Sequence, residues 1–304
     1  MSLTLAAIAA APVAWSAAYG LWAEQRWPAQ GRFVPALGAR AHLWEAGEGP
    51  PVVLLHGASG SVRDMAAPLA AHLAGLHLIA IDRPSHGHSG DVAEHARLAV
   101  QARFVAEALT AAGVDGPVTV AGHSWGAAVA LRLAIDFPKR VKAMIAIAPA
   151  SHPFAGPVAL HNRLGALPVL GPALAWTAPA LLGPLALQAG LKSAFAPGQV
   201  APGYAAQSGI PLYFRARTFA ANARDMAAAS AELAAQAPRY PALTLPAAVI
   251  SGGGDTVVSN AIHAKALARD LPHAETLRIE GAGHMPTWAA PQTVAGVIRR
   301  LAEA

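Results

Sequence analysis

No cysteine occurs in the 304 residues, which excludes a disulfide framework, a thiolate nucleophile and any Cys-based zinc or iron–sulfur site. Redox chemistry therefore gives no reading of the compartment. Charge is scarce as well: Asp, Glu, Lys and Arg make up 13% of the chain, against about 25% in an average globular protein. Hydrophobic residues reach 54%, and that pairing excludes intrinsic disorder, which needs low hydrophobicity and uncompensated charge. The net charge is only +5 and no Lys/Arg-rich run is present, so a nucleic-acid partner has no electrostatic footprint to bind.

What the chain does have in quantity is apolar sequence. Residues 2–23 carry no charge and include Leu3, Leu5, Ile8, Val13, Trp15, Leu21 and Trp22. About 20 apolar residues span a bilayer as a helix, and aromatics gathered at one end suit an interfacial belt. We therefore expect residues 1–27 to form a hydrophobic segment acting as a membrane anchor or signal. The competing reading is an Ala-rich helix, kinked at Pro12, lying on the domain surface or packed into a partner. With Arg26, Arg32 and Arg40 following, an anchored protein would keep its C-terminal domain cytoplasmic. Cytoplasmic and exported forms are the alternatives. A second uncharged stretch, 164–191, contains Pro168, Pro172, Pro179 and Pro184, which break it into pieces of one or two turns and exclude a span.

Two short strands are expected around the turn at Gly38. Apolar runs at 52–55, 76–81, 118–121, 143–148, 247–251 and 276–279 then alternate with helical patterns at 61–73, 95–112, 124–137, 215–235, 259–270 and 291–303. Continuous apolar strands separated by amphipathic helices predict an α/β domain with a mostly parallel sheet covered on both faces. Ser61 and Asp64 supply cap chemistry for the first of these helices. The alternation lapses at 151–212, so the chain divides into a core at 28–150, an inserted cap at 151–213 and a second core part at 214–304.

Gly122-His123-Ser124-Trp125-Gly126 is a G-x-S-x-G sequence between a predicted strand and helix, the setting of a nucleophile elbow. A serine hydroxyl needs a base to take its proton and an acid to orient that base. His284, in a glycine-flanked loop before the last helix, is the expected base. Asp255, directly after the strand at 247–251, is the expected acid; Asp136 and Asp225 fall in helices and are read as solvated. For the oxyanion hole we expect the backbone N–H groups of Trp125 and Ala58, with Ser59 as an alternative or an added hydroxyl contact. His56, at a strand end, is read as shaping that loop.

These motifs, with Asp82-Arg83-Pro84-Ser85-His86-Gly87-His88-Ser89, make the chain resemble the α/β-hydrolase superfamily, in its serine-type group of esterases, lipases and cofactor-free haloperoxidases. The resemblance runs from about residue 32 to the end. Ser85 departs from it, since that loop more often carries glycine. The dehalogenases and epoxide hydrolases of the family carry aspartate where Ser124 stands, which argues against both activities. The resemblance implies an α/β-hydrolase fold with a helical cap, and a serine hydrolase cleaving carboxylic esters, with no cofactor and no metal. Thioester, lactone, carbon–carbon bond and peracid chemistry share the machinery, and a ligand-binding scaffold is the non-enzymatic alternative. The apolar insertion suggests a small hydrophobic ester as substrate. Its freedom from acidic residues between Asp136 and Asp225, beside Lys139, Arg140, Lys142, Arg163, Lys192, Arg215 and Arg217, adds a membrane surface as a candidate partner.

Overall fold

The apolar runs around Val53, Ile79, Val120, Ile145 and Val249 become the centre of one eight-stranded sheet in the computed structural model, which describes residues 3–304, with side chains from Ala10 onward. Met1 and Ser2, the start of the expected hydrophobic segment, lie outside the described residues. The strands are β1 (Arg32–Ala36), β2 (Ala39–Ala46), β3 (Pro51–Leu55), β4 (His77–Ile81), β5 (Val118–His123), β6 (Val141–Ile147), β7 (Ala247–Gly252) and β8 (Glu275–Ile279). Their order across the sheet is β1-β2-β4-β3-β5-β6-β7-β8. β1 and β2 form an antiparallel hairpin whose turn residues Leu37 and Gly38 both have positive φ, as a tight primed turn requires. β2 also runs antiparallel to β4, and every later pairing is parallel.

Successive strand residues point to opposite faces. In β3, Val53 and Leu55 enter one buried cluster and Val52 and Leu54 another. Both faces are dry, which is why the strands read as unbroken apolar runs rather than alternating ones. Helices α3 (Leu98–Ala111), α4 (Trp125–Asp136), α9 (Ala216–Gln236) and α10 (Ala264–Asp270) serve the first face. Helices α2 (Val62–Leu69) and α12 (Pro291–Glu303) serve the second. Between β6 and α9 the chain leaves the sheet for α5 (Leu160–Gly165), α6 (Leu170–Ala175), α7 (Pro179–Phe195) and α8 (Tyr204–Ser208). The short α11 (Pro286–Ala289) follows β8.

Several expectations are corrected here. α7 runs for 17 residues with Pro184 inside it, so the prolines divide 164–191 less finely than expected. α2 is not capped by Ser61, whose hydroxyl donates to the Ser208 carbonyl instead (3.2 Å). Asp82, at the end of β4, takes the Val62 N–H at 2.7 Å. α3 starts three residues later than expected because Glu232 accepts the Leu98 N–H (2.8 Å), while His95 turns inward onto the carbonyls of Val92 and Ala221. Asp225 is not solvated: it is wholly buried, 2.6 Å from the Arg83 guanidinium. Asp136 does sit near the surface, between Arg132 and Arg239.

The expected anchor finds no support. α1 (Leu3–Arg26) lies against the inserted segment, with Tyr19, Ala23 and Trp27 buried among Ala180, Leu212 and Phe214. The Trp27 indole N–H donates to the Ala206 carbonyl (2.6 Å), and Glu24 pairs with Arg215 (2.7 Å). Among the described residues no helix is long and apolar enough to cross a membrane. The basic character of the insertion also thins out. Arg140 and Lys142, at the start of β6, bond carbonyls of residues 114, 115 and 302 at the sheet end remote from Ser124. Arg215 and Arg217 are spent on the carbonyls of Gly87 and Ser89.

Two predictions follow from the buried polar groups. Asp82 is fully buried and accepts from His42 Nδ1, the His88 N–H and the Val62 N–H. Asp82→Ala orphans all three donors and is expected to cost ~3–5 kcal/mol in chemical denaturation. Burial also pushes His56 and His123 down to about 3 and His263 down to about 4, and holds His86 well below its ordinary value. Each takes up a proton near pH 6.5 when unfolded but not when folded, so stability is lost as pH falls from about 6.5 towards 4. Asp64, raised by burial to about 6, and Asp225, also raised by burial, oppose this over part of the window but are fewer. The urea midpoint at pH 5 should therefore lie clearly below that at pH 7.5, and equal midpoints would contradict the balance.

Candidate active site

In parallel sheets functional groups collect in the loops at the carboxyl ends of the strands. Ser124 follows β5, Asp255 follows β7, His284 follows β8 and Ala58 follows β3. The serine occupies a turn with φ 53° and ψ −117°, outside the comfortable regions for a residue with a Cβ. Gly122 and Gly126 permit that turn. A Cβ on Gly122 would run into the Gly126 carbonyl, and one on Gly126 into the Leu55 carbonyl. The Ser124 N–H is tied to the Ile147 carbonyl at 2.9 Å, so β6 braces the turn from outside. The hydroxyl stands at the N-terminus of the 12-residue α4, where the helix dipole favours negative charge.

Three of the expected residues meet. His284 Nε2 lies 2.9 Å from Ser124 Oγ and His284 Nδ1 lies 2.7 Å from Asp255 Oδ2. The second oxygen of Asp255 accepts the N–H groups of Val257 and Val258 at 2.9 and 3.0 Å. Burial works to raise the Asp255 carboxyl, but the hydrogen bond and charge of His284 and these two amides outweigh it and hold the carboxyl below its usual range. Asp255 is thus an oriented anion facing one imidazole nitrogen. The imidazole is fixed through its backbone as well: the His284 N–H donates to Ala194 of α7 (2.8 Å), and its carbonyl accepts His123 Nε2 (2.7 Å).

The N–H groups of Ala58 and Trp125 have no intramolecular acceptor among the described residues. The Ser59 N–H does have one, Asn222 Oδ1 at 2.8 Å, so the alternative donor is already occupied. His56 stands where the sequence placed it, holding the loop: Nδ1 donates to the Gly57 carbonyl (2.8 Å) and Nε2 accepts the Arg83 N–H (3.0 Å). That pattern fixes one tautomer of a neutral ring.

Ser151 makes a useful contrast. It is linked to His152 at 3.0 Å, and His152 to Asp270 at 2.9 Å. Yet Ser151 is completely buried and its hydroxyl donates to the His263 carbonyl. Connectivity of the right kind without an accessible oxygen makes no nucleophile.

Ser124 and His284 open into a cavity of about 930 Å³ that also reaches Ala58 and Trp125. Leu164, Leu174, Leu182, Leu187 and Leu191 of the inserted helices form its roof, Leu164 and Leu182 being exposed as well, while Leu170, Leu181 and Leu185 are exposed and do not line it. One acid faces this apolar space. Asp64 accepts the Tyr204 hydroxyl (3.0 Å) and the Trp288 indole N–H (3.2 Å), tying α2 to α8 and α11. Burial raises it to about 6 against the lowering effect of those bonds. Sequence reasoning gave it only a capping role, and missed His123, Asn222 and the Arg83–Asp225 pair. The positions of Asn222 and Asp225 one helical turn apart on α9 were the available signal.

Comparison with known proteins agrees with this architecture. An esterase from Exiguobacterium antarcticum superposes with a TM-score of 0.74 over 90% of this chain and 100% of its own, at 19% identity. An enol-lactonase from Burkholderia xenovorans LB400 superposes with a TM-score of 0.73 over the same shares, also at 19%. Identities this low show the fold alone. In sequence, 104 residues (34% of the chain) are 33% identical to (E)-2-((N-methylformamido)methylene)succinate hydrolase of Acinetobacter baylyi, and the match spans 39% of that relative's length. Residues 50–291 match the alpha/beta hydrolase fold family, and with the sheet order and the strand-end loops described above the chain belongs to that family.

Proposed function

We propose that the protein is a serine hydrolase that cleaves carboxylic esters of hydrophobic substrates through an acyl-enzyme. The supporting observation is a continuous hydrogen-bonded path from Ser124 through His284 to the oriented Asp255, at the floor of an apolar cavity and beside two free N–H groups. Ser124 Oγ attacks the ester carbonyl while His284 Nε2 takes its proton, and Asp255 steadies the imidazolium. The oxygen of the tetrahedral intermediate turns toward the N–H groups of Ala58 and Trp125. Collapse returns the proton from His284 to the departing alcohol and leaves an acyl group on Ser124. Water, deprotonated by the same imidazole, then releases the acid. The leucine roof gives an acyl or alkyl chain a surface to bury, at about 0.8 kcal/mol per methylene.

The same machinery accepts a thioester or lactone carbonyl. The volume and apolar lining of the cavity favour an ester with a chain. Ser124→Ala is expected to lower kcat on p-nitrophenyl esters by roughly 10⁴-fold or more. It should also abolish labelling by a fluorophosphonate, which a non-enzymatic scaffold would not take up in the first place. Across a p-nitrophenyl series, kcat/KM should rise from acetate to octanoate. A flat or falling series would remove the role assigned to the roof.

A further inference from the structure

The Gly57 carbonyl and the Ala58 N–H belong to one peptide plane, and in a trans peptide they point in opposite directions. Whatever holds the carbonyl therefore aims the N–H. Three donors converge on the Gly57 oxygen: His56 Nδ1 at 2.8 Å, Arg83 Nη2 at 3.2 Å and the Gly60 N–H at 3.3 Å. Arg83 is wholly buried and cannot choose its own direction in solvent. Its other terminal nitrogen is fixed by Asp225 Oδ2 (2.6 Å) and Gln101 Oε1 (2.9 Å), and the second Asp225 oxygen accepts from Gln101 Nε2 (3.2 Å). One turn earlier on α9, Asn222 Oδ1 takes the Ser59 N–H at 2.8 Å. Residues three apart lie on one helix face. A single face of α9 thus grips the loop on both sides of Ala58, one grip direct and the other through Arg83, and leaves the Ala58 N–H as the uncommitted donor between them.

On the reading of Ser124 as nucleophile, we infer that Asn222, Asp225 and Arg83 are positioning residues for the oxyanion hole, acting through the Gly57–Ala58 peptide. None touches the reacting atoms. A buried ion pair is a poor source of stability compared with apolar packing, because both charges must first be desolvated. Its specific yield here is direction: the guanidinium delivers a hydrogen bond to one carbonyl at a fixed angle. Asn222 in turn prevents the neighbouring Ser59 N–H from competing for the oxyanion. The mis-aimed peptide of a variant would bind substrate in the same apolar cavity and fail at the tetrahedral stage.

The experiment compares the wild type with Asn222→Ala, Asn222→Asp and Asp225→Asn on p-nitrophenyl butyrate. It reads kcat and KM, the affinity of an alkylboronic acid whose tetrahedral adduct places an oxygen in the hole, and the affinity of an unreactive alcohol that fills only the cavity. Since loss of one oxyanion donor costs about 10²–10³ in kcat, mis-aiming one is expected to cost about tenfold or more in kcat and in boronate affinity. KM and alcohol affinity should stay within about twofold, and Asn222→Asp, which keeps the acceptor oxygen, should recover most of the loss. A folded Asn222→Ala and Asp225→Asn with wild-type kcat and boronate affinity overturn the inference, as does a loss falling equally on boronate and alcohol. If neither variant folds, the wild type decides: boronate binding should move the ¹⁵N–H resonance of Ala58 and not that of Ser59, and the reverse overturns the assignment. A wild type that neither turns over ester nor labels with fluorophosphonate defeats the serine-hydrolase reading itself, which is a distinguishable result.

Discussion

The turn between β5 and α4 is the constraint on which the site depends. It holds a serine at a positive φ, and the neighbouring chains approach so closely that no side chain fits at Gly122 or Gly126. Strain of this kind costs of order 1–3 kcal/mol per residue and persists only where the surroundings over-determine it. Here the surroundings are the two buried strands flanking β5. The Ile147 carbonyl of β6 holds the Ser124 N–H, and the end of β3 presses against Gly126. The sheet is the support, and its continuous dry core on both faces gives that support rigidity.

How far the chain was readable follows from which forces act locally. The strand runs, the hairpin at Gly38 and the Ser124–Asp255–His284 order depend on period, turn chemistry and strand-to-loop position, and these stand in the sequence. Helix starts were less readable. The expected cap Ser61 was passed over for Asp82, and α3 waited for Glu232, because in both cases the acceptor comes from another element. Asp225 shows the same limit more sharply. A carboxylate inside a polar helix reads as solvated until its partner, 142 residues away, is in place.

The N-terminal helix illustrates a different difficulty. Hydropathy counts apolar residues without saying what covers them. From Ala10 onward, Tyr19, Ala23 and Trp27 bury themselves against Ala180, Leu212 and Phe214, while Trp15, Leu21 and Trp22 remain exposed. Part of the apolar surface that suggested a bilayer is thus covered by residues 180–214 instead. The leucines of the inserted helices likewise line the cavity in part and are exposed in part.

One bond joins the inserted helices to His284. The His284 amide donates to the carbonyl of Ala194, near the end of α7. α7 also supplies much of the ceiling over Ser124. The ceiling and the imidazole loop are therefore mechanically spliced: α7 cannot be raised to widen the doorway without either snapping that splice or dragging the loop along with it. Any shift of α7 that keeps this bond is thus transmitted to His284, whose ring faces Ser124.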